Sequence, residues 1–145
     1  MRDDVDMNKL EQFYKGQTAR LQRTFTEEDV KKSSELTKDF SPVYNQKEDV
    51  WKKFYEKPIV PALLTEGLIT QVISEKLPGV PCVLLQKDLV FYHPVHVGEE
   101  ITAEMVVIDI NADRKWVTQK VTCLDEDGKE VIKGQVVILL LSNQE

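Results

Sequence analysis

Residues 57–79, KPIVPALLTEGLITQVISEKLPG, govern how the rest of the chain is read. Pro61 falls just inside a helix start, where a missing N–H does no harm, and Pro78-Gly79 fall just past its end. Between them, Ala62, Leu63, Leu64, Leu68, Ile69, Val72 and Ile73 spread over too wide an arc for a helix that lies on a surface. This helix is expected to be wrapped by other elements.

From Pro81 onward the hydrophobic period becomes two. Val83, Leu85, Leu89 and Phe91 alternate with Gln86 and Asp88, and ITAEMVVIDI, KWVTQKVTCL and VIKGQVVILLL carry the pattern on, which predicts four long strands. The connections HVGEE, NADR and DEDGK have hairpin chemistry, Asp127-Gly128 most clearly. A buried helix ahead of an antiparallel meander is the α+β pattern of a curved sheet wrapped around a helix, the hot-dog architecture. The unbroken VVILLL predicts a strand covered on both faces, and the edge of so small a sheet calls for pairing with a second copy, so a homodimer is expected.

Upstream, Met7, Leu10, Phe13 and Tyr14 recur at helical spacing, predicting a short helical extension over residues 1–15 that ends at Gly16. QTARLQRTFT reads as a strand. Thr26 is a suitable N-cap for a helix over 27–37, whose first turn is acidic, as the helix dipole favours. Pro42 disfavours helix in the residue before it, so DFSPVYN is a loop leading into a second helix around KEDVWKKFYEK. Asp39 and Tyr44 therefore share a loop between helices.

The chain has 145 residues, 41% of them hydrophobic, which is enough for one core and too little for two ordinary domains; residues 1–145 are read as a single domain. A net charge of -6 disfavours nucleic-acid binding. Cys82 and Cys123 form neither a CxxC pair nor a metal-spaced cluster and are read as free thiols. His93 and His96 are separated by Pro94 in a strand-to-turn setting, which puts them on different faces, and no thiol or carboxylate cluster accompanies them; no metal is expected. The acidic N-terminus lacks the pattern of a secretory signal and no window approaches 18 apolar residues, so a soluble, cytoplasmic protein without membrane contact is expected.

FTEEDVKKSSELTKDFSPVY, KPIVPALL, the spacing to LPG, and LVFYHPVHVGEEITAEMVV together resemble the MaoC-like group of hot-dog proteins, which includes the R-specific enoyl-CoA hydratases. The resemblance runs in order from about Gly16 to Leu141 without a large gap. It implies an enoyl or hydroxyacyl thioester of coenzyme A or of an acyl carrier as ligand, a place in fatty acid metabolism, and no cofactor beyond the coenzyme A of the substrate. Hydratases of the group carry a loop pattern D-x-N-P-x-H whose aspartate and histidine activate a water. Asp39 and Pro42 match it; Ser41 stands for the asparagine and Tyr44 for the histidine, and Val60-Pro61-Ala62 stands where V-H-G is usual.

By that resemblance Asp39 is the base, Tyr44 and Ser41 orient the water, and the N–H of Ala62 holds the thioester oxygen. Tyrosine, with an ordinary pKa near 10, is a neutral hydrogen-bond donor at pH 7 and a poor proton acceptor. Pro61 has no N–H, but Ala62 and Leu63 bring unpaired donors at the helix start, beside the acyl group. Glu66 lies one turn further on, where some thioesterases of this fold place a carboxylate. Phe54, with Trp51 and Tyr55 at helical spacing, either packs or lines the acyl tunnel. Some of the lysines are placed to meet the coenzyme A phosphates. Three outcomes stay open: a hydro-lyase, a non-catalytic thioester-binding subunit or sensor with the option of a heterodimer with a catalytic relative, and an acyl-CoA thioesterase using Glu66.

Overall fold

The computed structural model describes residues 10–44, 52 and 55–141. In chain order the elements are β1 (Thr18–Thr24), α1 (Glu27–Thr37), β2 (Ile59–Val60), α2 (Ala62–Glu75), β3 (Cys82–Phe91), β4 (Val95–His96), β5 (Glu100–Asn111), β6 (Trp116–Leu124) and β7 (Glu130–Leu140). Five strands form one antiparallel sheet in the order β1-β5-β6-β7-β3, and β2 pairs with β4 in a second, two-stranded sheet.

The core lies between one face of the large sheet and α2. Leu68, Ile69, Val72 and Ile73 of the helix are buried together with Ile101, Ala103, Met105 and Val107 of β5, Val117 and Val121 of β6, and Val136 and Ile138 of β7. Alternate residues of each strand face the helix because the pleat has a period of two. The first turn of α2 differs from the expected full burial: Ala62 and Leu63 are exposed, Leu63 by 53%. Pro61 is the N-cap, one residue outside the position expected for it. Beyond the other end, Gly79 takes a φ of 68 and donates its N–H to Ile73. The buried Gln119 donates Nε2–H to the carbonyl of Leu77 at 2.9 Å, tying β6 to the helix end.

Three irregularities lay outside a strict alternation. The pairing of β3 with β7 shifts at Leu85, so Leu84, Lys87, Leu89 and Phe91 stand opposite Ile138, Val136, Gly134 and Ile132 and share their face. The expected grouping of Val83 and Leu85 with Leu89 and Phe91 is thus broken by one inserted residue. A second shift leaves Ile108 of β5 exposed, and a third lets Val131 and Ile132 of β7 both be buried.

Hairpins join β5 to β6 and β6 to β7, as NADR and DEDGK predict. In the second, the Asp125 carboxylate accepts from the N–H of Asp127 and of Lys129, each at 2.9 Å, while Gly128 supplies a φ of 80. HVGEE is not a hairpin: β3 pairs with β7, not β5, and the chain crosses through β4 from β3 at one edge of the sheet to β5, the strand next to β1 at the other. Turn chemistry is local and does not name the partner strand. On β7, Val137 and Leu139 are half-buried and alternate with buried residues, so within one chain its outer face is partly covered.

α1 begins with a reciprocal cap, the Thr26 hydroxyl accepting from the Asp29 N–H and the Asp29 carboxylate accepting from the Thr26 N–H at 2.9 Å. Val30 and Ser33 are its buried residues. Lys38 ends it in the left-handed region. At the N-terminal end, Leu10 and Glu11 are helical and Gly16 has a φ of 92; Met7 and the rest of the predicted extension lie outside the described residues. So do Trp51 and Phe54 and most of the helix predicted around KEDVWKKFYEK. No helix among the described residues is long and apolar enough to cross a membrane.

Candidate active site

The loop after α1 is shaped by its own polar groups. Asp39 accepts the Ser41 N–H on Oδ1 at 3.2 Å, and the Ser41 carbonyl accepts the Tyr44 N–H at 3.0 Å, so Pro42 and Val43 are the middle of a tight turn. This turn leaves Asp39 exposed and swings Tyr44 against the core, where it packs on the buried cluster. Burial, then the nearby Asp39 carboxylate and then Tyr55 push the Tyr44 hydroxyl above its ordinary pKa of 10.0. Tyr44 is therefore a neutral donor throughout the physiological range.

Tyr44 lines a pocket of about 270 Å³ at the head of α2. Its other walls are Ala62 and Thr65 of the helix, Phe91 and His93 from the end of β3, Val95 of β4 and Ile132 of β7. The first helical N–H groups have no intrahelical acceptor, so those of Ala62 and Leu63 are donors at this end of the helix, where its dipole is positive. The Leu64 N–H is already bonded to the Pro61 carbonyl at 2.9 Å. Thr65 turns its hydroxyl back onto the Ala62 carbonyl at 3.0 Å. The site thus offers hydrogen-bond donors at a helix start, a phenol, an imidazole and apolar walls.

Ala62 and Tyr44 are brought together on one pocket. Pro61 is buried and Leu63 exposed, and neither lines the wall. Asp39 and Ser41 lie on the same turn as Tyr44 but do not line the wall. Glu66 is largely covered and forms an ion pair with Lys87 of β3, so its carboxylate is turned toward the sheet edge. Phe54 lies outside the described residues.

Several lining residues escaped the sequence reading. Thr65, Phe91, His93 and Ile132 come from three separate stretches, and the crossing of the chain from β3 to β5 gathers them on one wall with Tyr55, which the sequence had offered as packing or lining the tunnel. The one available signal was the pairing of His93 and His96, which the sequence had raised as a question of metal ligation. They do face differently. His93 lines the pocket, whereas the His96 ring has Nδ1 3.2 Å from the Lys57 carbonyl and meets the Tyr55 ring edge-on with centroids 6.1 Å apart.

No protein-family model matches the chain. Relatives do. An (R)-specific enoyl-CoA hydratase of Aeromonas caviae is 30% identical over 125 residues, 86% of this chain and 93% of the relative. An (R)-specific enoyl-CoA hydratase of Rhodospirillum rubrum is 28% identical over 138 residues, 95% of each chain. Among solved structures, the (R)-hydratase from A. caviae superposes with a TM-score of 0.84 at 29% identity, covering 89% of this chain and 98% of that one. The fold and the site thus define a hot-dog protein with a pocket at the head of its central helix. The chain belongs to the MaoC-like hot-dog family, that of the (R)-specific enoyl-CoA hydratases.

Proposed function

We propose that the protein is a hydro-lyase that interconverts trans-2-enoyl and (R)-3-hydroxyacyl thioesters of coenzyme A or of an acyl carrier. The observation that carries this reading is that Tyr44, from the loop resembling D-x-N-P-x-H, and Ala62, at the start of the central helix, line one pocket in a chain of this family. In the reaction the Ala62 N–H holds the thioester oxygen, where negative charge develops as water adds to C3. Asp39 accepts the proton of that water, and Tyr44, kept neutral by burial, holds the water by donating to it. Ser41 fixes the turn that brings the two together.

A second copy completes the assembly in this reading. β3 is an edge strand with Val83, Leu84, Leu85, Val90 and Phe91 all exposed within a single chain. Bare apolar edges of this kind are ordinarily covered. A homodimer through this edge fits, and a heterodimer with a relative would use the same surface.

The test is hydration of crotonyl-CoA, followed as loss of enoyl absorbance, for the parent, Asp39→Asn and Tyr44→Phe. Turnover by the parent and a loss of about 100-fold or more in Asp39→Asn is the expected result. One specific observation favours a second reading, a thioester-binding subunit without catalysis: a phenol occupies the imidazole position. A silent parent that binds acyl-CoA and gains turnover as Tyr44→His would establish that reading instead. Thiol release from acyl-CoA that Glu66→Gln abolishes would establish a thioesterase.

A further inference from the structure

We infer that His93 is a catalytic residue of this pocket: its imidazolium delivers the proton to C2 of the enoyl thioester while Asp39 takes the proton of the attacking water. The inference rests on the hydro-lyase reading and adds a residue to it. Imidazole is the side chain that ordinarily exchanges protons between pH 5 and 8, and His93 is the histidine on the pocket wall. Among the described residues, the other ionisable groups on that wall are phenols: Tyr44, Tyr55 and Tyr92. Phenols hold their protons at neutral pH, and Tyr44 is pushed further in that direction.

The surroundings leave His93 to act. Asp39 stands beyond Tyr44 on the neighbouring turn, its carboxylate close enough to oppose ionisation of the phenol. On β7, Lys133 is occupied by Glu130 at 3.0 Å. On α2, Glu66 is engaged by Lys87. His96 faces the Lys57 carbonyl, meets the Tyr55 ring edge-on and does not line the pocket. His93 lies two residues beyond Phe91, the last residue of β3, which pairs with Ile132, so it is held close to the sheet while it remains exposed to solvent that can reload it.

The protons and electrons balance without a further reactant. As the water oxygen bonds to C3, its proton passes to Asp39 and the C2=C3 π pair moves toward the thioester oxygen, held at the helix start. The enolate then collapses, C2 takes the proton from His93, and the product has gained one water. Asp39 releases its proton to solvent and His93 takes one up, which restores the starting state. Dehydration runs the same steps backward.

Forward and reverse reactions use states with the same number of bound protons, because only the distribution between Asp39 and His93 differs. kcat/KM for hydration and for dehydration must therefore share one bell-shaped pH profile, whose alkaline limb belongs to the acid that protonates C2. The experiment measures kcat and KM in both directions, with crotonyl-CoA and (R)-3-hydroxybutyryl-CoA, from about pH 5 to 9, for the parent, His93→Gln, His93→Ala and His96→Gln. The expected result is a drop in kcat of about 100-fold or more in both His93 variants, loss of the alkaline limb, and partial recovery of His93→Ala by added imidazole. His96→Gln should keep the limb.

Retention of the limb and of kcat in His93→Gln, with a change in KM alone, would reduce His93 to a wall residue and overturn the inference while leaving the hydro-lyase reading intact. A parent without turnover in either direction overturns both. A variant that fails to fold is recognised by its melting curve, and imidazole rescue of His93→Ala then decides.

Discussion

Gly134 of β7 faces the carbonyl of Asp88 on β3 so closely that a Cβ on residue 134 would stand 1.9 Å from that oxygen. The obstacle is backbone, so an added methyl forces the two strands apart. Gly134→Ala is expected to destabilise the fold by about 1–3 kcal/mol, the range for overpacking. Gly67, inside α2, has nothing within 4 Å of its would-be Cβ. There alanine should stabilise, by about 0.5–1 kcal/mol, because it costs less backbone entropy in a helix. Denaturant midpoints of the two variants should move in opposite directions; a common direction would remove the close approach as an explanation.

The reciprocal cap between Thr26 and Asp29 starts the helix that leads directly into the site loop. Thr26→Ala removes one half of it and should cost about 1 kcal/mol. Asp39 and Tyr44 lie just beyond the other end of that helix, so the same change should raise KM more than a destabilisation of similar size made in the core by Val117→Ala on β6. Equal effects on KM would show that α1 does not position the loop.

Glu66 and Lys87 tie α2 to the edge strand β3 with the carboxylate largely covered and the ammonium half exposed. Partial exposure of the lysine keeps the pair's value near 1 kcal/mol. Glu66→Gln is expected to lower the melting temperature slightly and to leave hydration of crotonyl-CoA within about threefold of the parent. A loss of turnover comparable to that of Asp39→Asn would bring Glu66 into the chemistry.

Cys123 is fully buried on β6, and burial pushes its thiol up to about 12 from 9.0. The unfolded thiol therefore ionises first as pH rises, and the folded state gives up stability between about pH 9 and 12, by roughly 4 kcal/mol at most. Below pH 9 this contribution is fully present. Cys123→Ala should start less stable at pH 8 and lose less than the parent between pH 8 and 11. Parallel losses in the two proteins would mean that other groups govern the alkaline limit.

The elements were largely legible in the sequence because their signals are local: the proline and glycine flanks of α2, the Thr26 start of α1, and the alternation of β5 and β6 each act within a few residues. The family was legible for the same reason, since FTEEDVKKSSELTKDFSPVY and KPIVPALL are continuous stretches. Tyr44 and Ala62, which line the pocket, lie within those stretches. Partners distant in sequence were not legible. Alternation states that a strand has an inner face but not which strand lies beside it, so β3 was placed next to β5 and its inserted residue at Leu85 went unseen. Glu66 found Lys87 only because that insertion turns Lys87 toward the helix. His93 likewise became a pocket residue only through the crossing from β3 to β5. What the sequence by itself determined was the set of elements and their chemistry; what tertiary structure decided was which of those groups meet, because long-range pairing depends on the summed burial of both faces rather than on any single stretch.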